Sequence, residues 1–293
     1  MVLCFIMMNI GVRCHDVGIF PPDLLAEKVA ATGVRCVQLA LSKALPGAPL
    51  VPEEVNIPQV SGAFQRQGLS IAVLGCYINP VHPDRNQREA ALRRFEAHLR
   101  AAPLFGCSIV GTETGSCAAD CSYHPDTERD ATFADLVASA ERLVRCAETI
   151  GSVIVGIEAV AEKHTISTPE KMARLLKEID SPHLGVIFDP TNLVPSSGID
   201  DMGAFLDRCF EAFGHKIVAV HAKDYRMELV DGRMIKSPSL PAGTGLLPWP
   251  DILRRLRALN REAVPILIED IKASHIEETR RRLETFWSHL EYM

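Results

Sequence analysis

The chain has 293 residues, of which 47% are hydrophobic and 23% are charged. This balance provides for a large core and a charged surface, and it excludes an intrinsically disordered chain. The formal net charge of −6 offers no chain-wide attraction to phosphate backbones or anionic lipids, so neither a nucleic-acid partner nor a membrane partner is expected.

Short apolar segments rich in Val, Ile and Leu alternate with longer amphipathic segments from the N-terminus onward. Residues 1–10 have no positively charged leader pattern and are too few to span a bilayer, so they are interpreted as part of the first strand. The predicted strands are 3–12, 34–41, 70–77, 108–112, 153–158, 184–189, 217–222 and 264–269. The predicted helices are 22–32, 52–67, 83–105, 130–151, 168–179, 200–213, 249–260 and 273–293.

Eight strand-helix repeats predict a closed α/β structure, a single (β/α)8 TIM barrel covering residues 1–293. Thr168 before Pro169 and the carboxylate of Asp200 are predicted helix N-caps. No glycine-rich phosphate loop follows the first strand, which argues against a nucleotide-binding fold. The apolar residues of the last helix either cover the barrel or form a subunit interface, so a homo-oligomer is possible.

Four predicted strands end in a side chain that can bind a divalent cation, namely Glu158, Asp189, His221 and Glu269. Strand ends of such a barrel converge on the mouth where active sites lie. Residues two and four positions earlier are small or aliphatic, as an inward-facing row requires. Alternation alone does not decide whether Glu269 or Asp270 is the side chain that faces the inside of the barrel.

Three carboxylates at one mouth would repel each other unless a cation lay between them. We therefore predict one divalent metal ion, with Mn²⁺ or Mg²⁺ favoured and Co²⁺ or Zn²⁺ as alternatives. The nine cysteines are odd in number and scattered, which is typical of free thiols and favours a cytoplasmic location.

Several short motifs follow one another along nearly the whole chain. They are 33–38 (GVRCVQ), 76–80 (CYINP), 82–84 (HPD), 111–116 (GTETGS), 157–158 (IE), 188–192 (FDPTN), 220–224 (VHAKD), 243–245 (GTG) with Trp249, and 268–269 (IE). In this order the chain resembles the xylose-isomerase-like superfamily of sugar isomerases and epimerases, which also contains apurinic-site endonucleases.

The resemblance implies a metal-dependent sugar or sugar-phosphate isomerase or epimerase whose ligands are the four strand-end residues. It also implies that Glu158 and Glu269 lie on opposite sides of the sugar and transfer protons through an enediolate. By the same resemblance, the expected substrate contacts are Arg226, His164, Asn192, Glu113, Tyr77 and Trp249, with His15 and Asn79 as further lining residues. Asn192 stands where the superfamily often has a histidine.

Other functions remain open at this point. A keto-inositol dehydratase would use the same fold and the same proton abstraction. A zinc nuclease would need more histidines than the sequence supplies after Asp189 and His221. Lys223 could form a Schiff base, as in metal-independent aldolases, or it could be a surface lysine paired with Asp224.

Overall fold

The computed structural model of the protein describes residues 8–290. Eight parallel strands form its barrel: β1 (Ile10–Arg13), β2 (Cys36–Leu39), β3 (Ser70–Gly75), β4 (Ile109–Glu113), β5 (Ile154–Glu158), β6 (Leu184–Phe188), β7 (Ile217–Asp224) and β8 (Ile266–Ile268). Each strand pairs with the next along the chain, and β8 pairs with both β7 and β1. The ring is therefore closed, which confirms the predicted (β/α)8 TIM barrel.

A helix of nine or more residues follows each barrel strand, as predicted, and three short helices of four residues are additional. The helices are α1 (Cys14–Val17), α2 (Pro22–Ala30), α3 (Leu41–Ala44), α4 (Ile57–Arg66), α5 (Arg85–Ala101), α6 (Asp130–Ile150), α7 (Pro169–Glu178), α8 (Pro190–Leu193), α9 (Met202–Phe213), α10 (Trp249–Ala258) and α11 (Ile276–Leu290). None of the helices described between residues 8 and 290 combines the length and the apolar character needed to cross a bilayer.

Several predicted boundaries differ from the structure. Residues 3–7 of the first predicted strand and 291–293 of the last predicted helix lie outside the described residues. Thr168 caps α7 as predicted, with its hydroxyl accepting from the Lys171 N–H at 3.3 Å. The cap of α9 is Asp201 instead of Asp200, since its carboxylate accepts from the Ala204 N–H at 2.9 Å.

The inside of the barrel is filled by a small apolar cluster that is separate from the larger core beneath the helices. Its members are Cys36, Val73, Ile109, Ile187, Ala219 and Leu267. Space there is tight, because a Cβ added at Gly111 would lie 2.6 Å from Ile187 Cδ1. Three members lie two residues before Asp189, His221 and Glu269, so the alternation that placed those residues on the inner row is confirmed.

A two-stranded hairpin follows β7 and projects from the mouth of the barrel. Its strands, Met227–Val230 and Arg233–Lys236, are antiparallel, and Asp231 and Gly232 at its tip have positive φ values. At its base, the Lys236 ammonium donates to the carbonyls of Thr191 and Val194 at 2.9 and 2.7 Å. The hairpin is thereby attached to the segment that follows β6.

Candidate metal centre

Three of the four predicted ligands meet at the mouth of the barrel. Glu158 ends β5, Asp189 follows β6 and His221 lies within β7, and their ligand atoms all lie within 4.8 Å of one another. Each side chain is almost fully buried, with 3%, 2% and 1% of the residue exposed. A buried cluster of this composition suits a divalent cation, because the carboxylates supply negative charge and the imidazole completes the donor set.

The orientation of His221 is fixed from the side facing away from this cluster. Its Nε2 lies 2.9 Å from Gln38 Oε1, and the Gln38 amide donates to the Tyr77 hydroxyl at 2.7 Å. Since Gln38 Oε1 accepts, Nε2 carries a proton and Nδ1 faces the carboxylates. Nδ1 lies 3.3 Å from Glu158 Oε2 and is buried without a hydrogen-bond partner among the described residues.

The carboxylates around His221 favour a positively charged imidazole. Burial alone would lower the pKa of His221, but Glu269 and Glu158 outweigh burial and raise the pKa well above its ordinary value. A divalent ion bound to Nδ1 would satisfy the same demand for positive charge. The residues present therefore fit a metal ion.

Glu269 borders the cluster of three and is held by cations. It follows β8, and its Oε2 lies 3.3 Å from His221 Nδ1. Lys223 donates to Oε1 at 2.5 Å, and the Arg13 guanidinium donates to Oε2 at 3.3 Å. These contacts hold the Glu269 carboxylate at the edge of the site with one oxygen toward His221.

The structure contradicts the interpretation of Lys223 as a surface lysine. It is 1% exposed, and its ammonium also lies 2.9 Å from Asp189 Oδ2 and 2.7 Å from Asp270 Oδ2. The expected partner, Asp224, instead accepts from the backbone N–H groups of Tyr225, Gly243 and Leu247. In the sequence, the alternation of the strand indicates an inward-facing Lys223, because it lies two residues after His221 on the same row.

Asn192, Glu113 and His164 lie together beside Glu158. The Asn192 amide donates to Glu158 Oε1 at 2.7 Å, and the Cα atoms of Glu113 and Glu158 pair in register. His164 Nδ1 lies 3.7 Å from Glu113 Oε2. Burial raises the pKa of Glu113 to about 7 and lowers the pKa of His164 to about 4.

Two further residues that are expected to contact the substrate take part in core packing and in a loop contact. Trp249 begins α10 and is fully buried in the core, and its expected contact with the substrate stays a prediction. Its orientation follows from the packing of α10 on the barrel, which the sequence does not show. Arg226 donates from Nε and Nη2 to the Thr244 carbonyl at 3.1 and 2.7 Å, and it therefore fastens the 243–245 loop.

The fold is shared with several solved structures of low sequence identity. A xylose isomerase-like TIM barrel protein from Mycobacterium smegmatis in complex with magnesium has a TM-score of 0.77 and 18% identity, with 96% of each chain covered. A D-tagatose 3-epimerase-like protein has a TM-score of 0.76 and 19% identity, covering 97% of this chain and 99% of its own. A 3-keto-D-glucoside 4-epimerase from E. coli, without ligand, has a TM-score of 0.71 and 18% identity, covering 95% and 100%.

No curated protein is significantly similar to the chain in sequence. A family model described as a xylose isomerase-like TIM barrel matches residues 26–286, which is most of the chain. The protein therefore belongs to the xylose isomerase-like TIM-barrel family.

Proposed function

We propose that the protein is a divalent-metal-dependent isomerase or epimerase of a sugar or sugar phosphate. The observation that carries the proposal is the buried cluster of Glu158, Asp189 and His221, with His221 Nδ1 turned toward the carboxylates. Epimerases with the same fold support the choice of substrate class, and the magnesium complex supports a metal. A keto-inositol dehydratase shares the first proton transfer and is an outcome of the test below.

Glu158, Asp189 and His221 would hold the ion, with Glu269 as the fourth ligand beside them. Mn²⁺ or Mg²⁺ suits the carboxylate-rich set best, and Co²⁺ or Zn²⁺ would also fit. When bound, the ion would polarise the sugar carbonyl and stabilise negative charge on its oxygen. Gln38 would keep His221 Nδ1 available as a ligand, in the way that hydrogen-bond partners of metal-bound histidines commonly do.

Glu158 and Glu269 are the proposed acid and base. Asn192 donates to Glu158 Oε1, while Lys223 and Arg13 hold Glu269. The two carboxylates are thus positioned from different elements, and one would remove the proton next to the carbonyl while the other returns a proton to the opposite face. The ammonium of Lys223 is fixed by Asp189, Glu269 and Asp270, which favours its charged form and disfavours a Schiff base.

The direct test is to incubate the metal-loaded protein with free and phosphorylated ketoses in D₂O and to follow deuterium at carbon by NMR. Deuterium next to the carbonyl together with formation of an isomer or epimer is expected. Loss of water from the substrate would indicate a dehydratase, and no exchange with any ketose would contradict the proposal. Metal analysis should give one ion per chain, whereas two or three zinc ions would indicate a nuclease.

A further inference from the structure

A cavity of about 570 Å³ opens at the mouth of the barrel beside the metal centre. The loops after β2, β3 and β4 and one face of α5 form its walls. Tyr77 and Glu113 line its inner side, and none of the three clustered ligands is among the described residues that line it. The cavity is therefore additional space next to the place where the reacting carbon would lie.

Two residues connect this cavity to the metal centre. Glu113 ends β4 next to Glu158, which ends β5. The Tyr77 hydroxyl accepts from the same Gln38 side chain that holds His221. A substrate whose carbonyl lies over the metal centre can therefore extend past Tyr77 and Glu113 into the cavity.

The cavity is large for the remaining atoms of one sugar. A hexose has about a dozen non-hydrogen atoms, and those near its carbonyl would already lie over the metal ligands. The volume is within the range of about 300–1,000 Å³ that is typical of pockets for drug-sized ligands, which are larger than one hexose.

The charges in the cavity favour an uncharged ligand. Glu54, Glu113 and Asp120 contribute three acidic side chains against the guanidinium of Arg94, one N–H of which donates to the Tyr77 carbonyl at 3.0 Å. A phosphate group would face these carboxylates, but sugar hydroxyls can donate hydrogen bonds to them. Leu50, Val51, Ile78 and Ala91 add apolar surface for the faces of a sugar ring.

The walls are already fastened to each other. The Asn79 amide donates to the carbonyls of Ser116 and Ala118 at 2.9 and 3.0 Å, which joins the loops after β3 and β4. Gly115 allows this approach, since its φ is +64° and a Cβ there would lie 2.1 Å from Asn79 Oδ1. A preformed cavity avoids the cost of ordering loops upon binding.

From this geometry we infer that the cavity binds a second, uncharged sugar unit, so that the preferred substrate is a glycoside or disaccharide with the reacting sugar at the metal centre. The inference rests on the proposed function for the position of the reacting sugar. It adds that the attached unit is recognised by hydroxyl contacts to Glu54, Glu113 and Asp120, and that phosphorylation of the sugar would not improve binding.

The test compares ligands that share one ketose. The metal-loaded full chain is titrated by calorimetry with D-fructose, D-fructose 6-phosphate, isomaltulose and lactulose, in which the two disaccharides carry a hexose on O6 or O4 of fructose. We expect at least one disaccharide to bind ten times more tightly than fructose, and fructose 6-phosphate to bind no more tightly than fructose. Equal affinity for all four, or preference for the phosphate, would overturn the inference.

Two alanine-to-phenylalanine variants provide the matched comparison. Ala91→Phe on α5 would fill the cavity and remove the disaccharide advantage, while Mn²⁺ binding is retained. Ala138→Phe on α6, beside a separate surface cavity, would preserve the advantage. A disaccharide advantage that survives Ala91→Phe would overturn the inference.

The deuterium experiment separates this inference from the proposed function. Exchange on fructose without any disaccharide preference would leave the proposed function intact and refute the second sugar site. A preference abolished by Ala91→Phe, with no exchange on any ketose, would support the binding site and refute the proposed reaction.

Discussion

Replacing Lys223 with methionine should destabilise the metal-free protein by about 3–5 kcal/mol, which is typical when one partner of a buried ion pair is removed. The ammonium is 1% exposed and lies 2.9, 2.5 and 2.7 Å from carboxylate oxygens of Asp189, Glu269 and Asp270. Unfolding entropy of about 2.1 cal/mol/K per residue converts that loss to a decrease in Tm of about 5–8 °C for a chain of this length.

A divalent ion supplies positive charge to the same carboxylates. Saturating Mn²⁺ should therefore raise the Tm of Lys223→Met more than it raises the Tm of the wild-type protein. Differential scanning calorimetry with chelator and with Mn²⁺ measures both effects. Lys177→Met, which changes an exposed lysine of α7, is the matched control and should shift the stability by no more than about 0.5 kcal/mol. An unchanged Tm of metal-free Lys223→Met, or equal Mn²⁺ effects in both proteins, would refute the reasoning.

Four further predictions concern individual site residues. Asp189→Asn should weaken Mn²⁺ binding in calorimetry without loss of helical circular dichroism, because the residue lies at the mouth above the packed layer; unchanged affinity would contradict its role as ligand. Glu158→Gln and Glu269→Gln should each abolish net epimerisation, yet each should still exchange the proton of one epimer in D₂O, and full activity in either variant would exclude the two-carboxylate mechanism. Gln38→Leu should lower Mn²⁺ affinity by about 10–100-fold, since His221 loses the acceptor that orients it; equal affinity would show that other contacts suffice. Burial lowers the pKa of His164 from 6.5 to about 4, so between these pH values the unfolded chain binds a proton that the folded chain does not. The free energy of unfolding therefore falls, by up to about 1.4 kcal/mol per pH unit, as the pH decreases from 6.5 to about 4. His164→Asn should flatten that part of the curve of stability against pH in chemical denaturation, and an unchanged slope would contradict the assignment.

The barrel and three of its proposed ligands could be predicted because both depend on local pattern. Strand-helix repeats are visible as alternating apolar and amphipathic segments, and the last residue of a parallel barrel strand necessarily lies near the mouth. The pattern therefore predicts that Glu158, Asp189 and His221 meet, and the structure brings them together. The resemblance to the xylose isomerase-like family rests on motifs that lie near the same strand ends.

Contacts between distant elements could not be predicted in the same way. Lys223 pairs with Asp189, Glu269 and Asp270. Which carboxylates lie within reach of its ammonium depends on how β6, β7 and β8 are arranged in space. Trp249 is buried because of the orientation of α10, which periodicity does not determine. Gln38 stood within a recognised motif, but a single polar residue in a buried strand carries no signal for its partner.

The hairpin of residues 227–236 provides a site for the insertion of additional residues. Its base is tied by Lys236 to the segment after Asp189, whereas Asp231 and Gly232 form an exposed turn at the far end. Added residues at this turn would lengthen a projecting loop and leave the pairing of the barrel strands unchanged. An affinity peptide inserted between Asp231 and Gly232 would thus be accessible to solvent at the end of the hairpin that is opposite its tied base.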